Sequence, residues 1–189
     1  MSGPKVVLDA NVLYGEFVRD LLLSLFFDGI FEAKWTNEIT DEWVRNLLEN
    51  QPDIDREKNR ETVIAMHTIR PSPLVENYQR YIEQIDLRDK NDRHVVAAAI
   101  ASEARKILTW NLRDFPEQVL KGFGIVAESP DKFLADLIIE QPIAVADTFR
   151  TMRLRRRKPR MSVDVFIQAL SDNRLKMAAK HLARYHDLL

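Results

Sequence analysis

Cysteine is absent from the 189 residues. That absence excludes a disulfide scaffold, a thiolate zinc site, an iron–sulfur cluster and a cysteine nucleophile, and it fits a reducing compartment. Glycine is scarce: Gly3, Gly15, Gly29, Gly122 and Gly124 are all there is. No G-x-G-x-x-G or G-x-x-x-x-G-K-[ST] can be written with them, so dinucleotide and P-loop readings fall away. Long apolar runs are missing too. None approaches the roughly 20 residues of a membrane helix, and the start, Met1 to Asp9, has no extended apolar h-region. The expectation is a soluble, cytoplasmic protein with no membrane partner.

Apolar residues make up 46% of the chain, too many for a disordered one. Domains run about 100–200 residues, so the length predicts one domain, or one with a modest appendage. Lys5–Leu8 reads as a buried strand ending at Asp9, and Val12 to Phe27 as a helix closed by Asp28-Gly29. Ile30–Trp35 reads as a strand, and Asn37–Leu48 and Asp55–Ile69 as helices. Tyr78–Ile85 reads as a short helix. Asn91–Ala104 is the clearest helix, and Lys106–Thr109 and Gly124–Ala127 are strands. Strands alternating with helices predict an α/β domain with a mainly parallel sheet. Past Ser129-Pro130 no glycine occurs and the pattern is helical, with breaks at Gln141-Pro142, Lys158-Pro159 and near Ser171-Asp172. A boundary near residue 130 therefore separates a domain of residues 1–130 from a helical extension of residues 131–189.

Carboxylates gather at the expected strand ends. Asp9 ends the first strand, and Asp114 follows the third in Thr109-Trp-Asn-Leu-Arg-Asp-Phe115. Ligands of open α/β sheets bind outside the carboxyl ends of strands. Asp92 begins the alanine-rich helix, with Asp89 just before it. Glu42 lies on Asn37–Leu48, with Glu38 a turn earlier. Converging carboxylates repel unless a cation neutralises them, and an oxygen-only set selects Mg²⁺ or Mn²⁺. Taken singly, each has a plainer reading: Asp92 as a helix cap, Asp114 as a turn residue, Glu42 on a solvated face. His94 reads as a helix-surface residue; Trp110 is placed either to stack on a base or to pack.

Three segments, in order, resemble the PIN-domain nucleases. Val6-Val-Leu-Asp9-Ala-Asn11-Val-Leu13 is similar to their first strand and turn. Asp89-Lys-Asn-Asp92-Arg-His-Val95 running into alanines is similar to their D-x-x-D helix start, and Ile107-Leu-Thr109-Trp-Asn111-Leu-Arg-Asp114-Phe115 to their T-x-[DN]-x-x-D-F strand end. Gly124 to Leu134 resembles their last strand and closing helix. The resemblance implies a PIN-like three-layer fold, with a parallel twisted sheet and helices on both faces. It implies a metal-dependent endoribonuclease, most often the toxin of a VapC-type toxin–antitoxin pair. The implied acids are Asp9, Glu42, Asp92 and Asp114, holding Mg²⁺ (or Mn²⁺), with Glu38 and Asp41 as competitors of Glu42. Asn11, Asp89, Thr109 and Asn111 would assist. Asn111 stands where many members carry Asp. The implied partners are an RNA substrate, a cognate antitoxin and a second copy in a homodimer. The alternative is a catalytically weak PIN-like module that binds RNA or a partner. A haloacid-dehalogenase-like phosphatase is disfavoured, because Asp9-Ala-Asn-Val lacks that family's second Asp and Thr.

A net charge of −1 conceals a division. Residues 1–129 hold 16 basic and 22 acidic side chains, and residues 130–189 hold 12 and 7. Residues 150–160 carry seven basic side chains and no acid. Arg153, Arg155, Arg156, Arg157 and Lys158 are therefore candidate phosphate contacts, with a solvated face or an antitoxin-docking segment as the other readings.

Overall fold

The computed structural model describes residues 3–69, 72–155 and 161–189. Four strands, β1 (Lys5–Leu8), β2 (Glu32–Lys34), β3 (Lys106–Leu108) and β4 (Val126–Glu128), form one sheet in the order β2-β1-β3-β4. Every pairing is parallel, with Val6 opposite Ala33 and Val7 opposite Ile107. Neighbouring strand residues point to opposite faces. Val6, Val7 and Leu8 are nonetheless all fully buried, as are Ile107 and Leu108. Both faces are therefore covered, as a parallel sheet requires, and the result is the expected three-layer α/β fold.

The coverings are helices. Two short stretches replace the single helix expected over Val12–Phe27: α1 (Ala10–Leu13) and α2 (Glu16–Phe27). The chain is extended at Gly15, with φ −78° and ψ 111°. An isolated glycine does not by itself break a helical pattern, so the apolar period carried straight across it. Gly29 ends α2 at φ +77°, a left-handed turn that glycine adopts without strain. There follow α3 (Asn37–Asn50), α4 (Arg56–Thr68), α5 (Arg93–Ser102) and α6 (Glu117–Leu120). Thr36 caps α3 through the Ile39 N–H, and Asp55 caps α4 through Glu57 and Lys58. Helix α5 packs against β1, β2 and β3.

Helices α7 (Pro130–Glu140), α8 (Pro142–Arg155), α9 (Val163–Asp172) and α10 (Lys176–Leu182) follow β4, and a 3-10 helix spans Ala183–Leu188. They share the core of the sheet region. Phe166 of α9 meets Phe17 of α2 edge-on at 6.0 Å and Phe149 of α8 at 5.7 Å. Phe133 of α7 meets Phe31 at 5.1 Å. Phe31, Phe133, Phe149 and Phe166 are fully buried, and each such ring contributes about 1.5–3 kcal/mol. Asp131 on α7 accepts the N–H groups of Met177 and Ala178, at 3.1 and 2.9 Å, and so fixes the start of α10. Among the described residues no helix is long and apolar enough to cross a membrane.

Candidate active site

The strand order creates the site. The chain leaves β1 toward β2 on one side and returns as β3 on the other, so a crevice opens at the carboxyl ends of β1 and β3. Asp9 follows β1 and Thr109 follows β3. The Asp9 N–H donates to the Leu108 carbonyl at 3.0 Å, which extends the ladder one residue beyond the strands. The Thr109 hydroxyl and the Asn11 amide each donate to Asp9 Oδ2 at 2.6 Å. Asn11 also donates to Thr109 Oγ1 at 3.0 Å and accepts the Trp110 N–H at 3.0 Å. Asp9 is 4% exposed. Burial pushes its carboxyl up to about 6, against the Thr109 hydrogen bond, which lowers it, with the Glu42 charge adding to the rise.

A cavity of about 860 Å³ lies in front of it. Asp9, Glu38, Asp41, Glu42, Asp89, Asp92 and Asp114 line it, with Arg45 and Lys90 as its lysine and arginine cations. Asp92 ends a 3-10 turn, Lys90–Asp92, that leads into α5. It occupies the N-cap position of α5, yet its side chain makes no capping bond. Burial raises its carboxyl to about 6, reinforced by Asp9, Asp114, Asp89 and Glu42. Asp89 caps the 3-10 turn through the Asn91 N–H at 2.9 Å and also lines the cavity. Asp114 ends another 3-10 turn, Leu112–Asp114, and accepts a hydrogen bond from the Asn111 amide. The Asn111 N–H in turn donates to Thr109 Oγ1 at 3.0 Å.

Helix α3 supplies the remaining wall. Glu42 Oε2 stands 3.5 Å from His94 Nε2, and Glu38 Oε2 stands 3.8 Å from His94 Nδ1. Glu38 also accepts the Tyr78 hydroxyl at 2.7 Å. Burial, with that bond, pushes the Tyr78 phenol up to about 12. His94 corrects a sequence expectation: it is 5% exposed, not a helix-surface residue. Every residue of α5 from His94 to Ala99 is buried, because the helix is covered all round and has no polar face. The nearly continuous apolar run was the signal for that. Burial acts to lower the His94 imidazole. The hydrogen bond to Glu42 and the charges of Glu38, Glu42 and Asp9 outweigh it, and the net direction is upward.

A family model described as a PIN domain matches residues 5–113, more than half of the chain. The chain belongs to the PIN-domain family. A second model, described as the VapC50 C-terminal domain, matches residues 130–184. A curated relative named "Putative ribonuclease VapC50", from Mycobacterium tuberculosis (strain ATCC 25618 / H37Rv), is 51% identical over 45 residues. That segment covers 24% of this chain and 27% of the relative, so only about a quarter of the relative's length is matched. No solved structure matches.

In this PIN domain the acids expected from sequence, Asp9, Glu42, Asp92 and Asp114, line one cavity with Asn11, Asp89 and Asn111. Thr109 lies behind Asp9, fully buried. Among the described residues no three acidic or imidazole groups stand close enough to hold a cation as placed. The chemistry of the set fits a hard divalent ion all the same: oxygen donors, no sulfur, and two carboxyls held near 6 by burial first and by neighbouring carboxylates second. The basic segment fares differently. Arg153 has its donors turned inward: Nε and Nη2 to the Leu189 backbone oxygen at 3.2 and 2.6 Å, Nη1 to the Met161 carbonyl at 2.7 Å. It staples α8 to the chain's end instead of presenting a free phosphate contact. Arg155 is exposed at the end of α8; Arg156, Arg157 and Lys158 lie outside the described residues.

Proposed function

We propose that this PIN domain is a Mg²⁺- or Mn²⁺-dependent endoribonuclease, the toxin of a VapC-type toxin–antitoxin pair, acting in the cytoplasm and restrained by a cognate antitoxin. One observation carries the reading. Carboxylates from four separate segments face a single cavity at the sheet's switch point, and two of them are driven toward protonation by burial and by neighbouring carboxylates. The matched relative's name, a ribonuclease, points the same way.

Asp9, Asp92 and Asp114 would hold the ion, with Glu42 beside it. When bound, such an ion neutralises the carboxylates, polarises a phosphate and makes a water more acidic. The protein's own groups do the rest. Thr109 and Asn11 fix Asp9 Oδ2. The Glu42 carboxylate would take up the proton that an attacking water loses as its oxygen bonds to phosphorus in line with the departing 3′-oxygen. Cleavage would break the P–O3′ bond and leave a 5′-phosphate and a 3′-hydroxyl, the latter taking its proton from solvent while Glu42 releases its own to solvent. Glu42 suits the role better than Glu38, whose carboxylate is tied to Tyr78. Arg155, Arg156, Arg157 and Lys158 would track the RNA backbone.

The test is RNA cleavage by wild type, Asp9→Asn and Asp92→Asn with Mg²⁺ or Mn²⁺, with the new 5′ ends mapped. Even partners of metal ligands typically matter by about 10–100-fold, so each substitution should cost at least about a hundredfold. Undiminished cleavage by the variants would sink the assignment of these acids, and no cleavage by wild type would sink the ribonuclease reading.

A further inference from the structure

The cavity creates a difficulty for its own substrate. Seven carboxylates line it against Arg45 and Lys90, while RNA is a polyanion. A cation placed at the mouth, outside the carboxylate ring, would offset that repulsion. The turn between α9 and α10 holds an arginine against Trp110, the sequence neighbour of the cavity-lining Asn111. The Arg174 guanidinium carbon lies 4.3 Å from the centroid of the Trp110 ring. The side chain is exposed, and among the described residues it forms no ion pair.

Its position is determined from both sides. Arg174 is left-handed, with φ +67°, a conformation that non-glycine residues seldom adopt. The turn is closed by the Arg174 N–H on the Ser171 carbonyl at 3.2 Å and the Leu175 N–H on the Leu170 carbonyl at 2.9 Å. Leu175 is fully buried, and Asp131 pins the following helix. Trp110 is tied to the acid site. Its N–H reaches Asn11, and Asn11 reaches Asp9 at 2.6 Å. Its neighbour Asn111 lines the cavity. A guanidinium stacked on an indole keeps its in-plane N–H groups free, and that fork matches phosphate geometry.

We infer that Arg174, stacked on Trp110, is a phosphate-binding residue through which the C-terminal extension grips single-stranded RNA at the mouth of the acidic cavity. The inference rests on the ribonuclease reading for its substrate and deepens it. A phosphate held there lies at a set distance from Asp9, so the extension helps choose which bond of the strand enters.

The experiment uses the full chain and a fluorescently labelled single-stranded RNA. Anisotropy is measured in EDTA across a range of salt, alongside steady-state cleavage with Mn²⁺. Arg174→Asn tolerates the left-handed backbone but removes the charge; Arg174→Lys keeps the charge and loses the flat stack. Arg174→Asn should weaken binding about tenfold and reduce the slope of log affinity against log salt by about 0.7, the loss of one single-strand phosphate contact. Its cleavage defect should fall on KM more than on kcat, and Arg174→Lys should recover the slope but only part of the affinity. Wild-type RNA affinity and slope in Arg174→Asn would overturn the inference. So would a fall in thermal stability with the slope unchanged, because that is the mark of a purely structural stack. Binding in EDTA needs no cleavage, so a wild type that binds RNA but does not cut it with Mn²⁺ would refute the ribonuclease reading separately.

Discussion

Asp9 and Asp92 face the same cavity from opposite kinds of support. Asp9 extends a central strand, is 4% exposed, and receives two hydrogen bonds at 2.6 Å. Asp92 ends a single 3-10 turn, is half-buried, and makes no capping bond. Both carboxyls are raised to about 6, with burial the first cause in each. For Asp9 the opposing influences are the Thr109 hydrogen bond first, then the Ala10 N–H and the His94 charge. For Asp92 every further contribution is another carboxylate. One acid is therefore a fixed anchor whose protonation is set by the fold. The other is an adjustable group whose protonation is set by its neighbours, and a cation would change it most.

Breaking the anchor should cost most. Thr109→Val preserves shape and removes the donor to Asp9, leaving a buried carboxylate short of a partner. Such a loss costs about 1–3 kcal/mol, and cleavage should fall about tenfold or more. The matching change on the loose side, Asn111→Ala, removes a donor to Asp114 at an exposed position and should cost under about 0.5 kcal/mol. Urea unfolding of both variants checks the contrast. Equal losses would show that the two sides are held alike.

The reverse sign is expected at Asp92. Its folded pKa of about 6 lies above the usual 3.8 of an aspartate. Between about pH 4 and 6 the folded state therefore binds more protons than the unfolded one, and stability falls as pH rises. Below about pH 4 both states are protonated and the penalty is gone; above about pH 6 it is complete. Asp92→Asn should stabilise the protein by about 1 kcal/mol at pH 7 in EDTA, after allowance for partial exposure. The gain should vanish by pH 4. Added Mn²⁺ should raise the Tm of wild type more than that of the variant. A variant less stable than wild type at pH 7 in EDTA would refute the repulsion.

The same division explains what could be read from sequence. Asp9 was legible because Val6-Val7-Leu8 must be buried, and an acid directly after a buried strand has nowhere to go but the sheet's end. Order and spacing of the three motifs carried Asp92 and Asp114, and the alternation of strands with helices carried the mainly parallel sheet. Other features were not legible. Asp92 could as well have capped α5, and only the structure shows its side chain left out of the cap. Asp89 proves to serve as cap and cavity wall together. The Arg174–Trp110 stack joins residues 64 positions apart in sequence, and periodicity says nothing about such pairs. Arg153 looked like part of a free basic run, because the carbonyl groups that bind it, on Met161 and Leu189, become neighbours only on folding.

Glu42 stands between the two kinds of support, since its partner is itself titratable. His94 is buried between Glu42 and Glu38, and its pKa is raised. A raised imidazole adds stability that is fully present below the ordinary pKa of about 6.5 and is lost as pH rises through the folded value. His94→Gln keeps a donor and removes the charge. Relative to wild type it should lose about 0.5–1 kcal/mol at pH 5.5, the scale of a partly exposed ion pair, and less at pH 8.5. Thermal unfolding of both proteins in EDTA at the two pH values reads the difference. A loss that grew with pH would mean that His94 sits neutral against Glu42, and that Glu42 is then held by a neutral hydrogen bond, as Asp9 is, and not by charge.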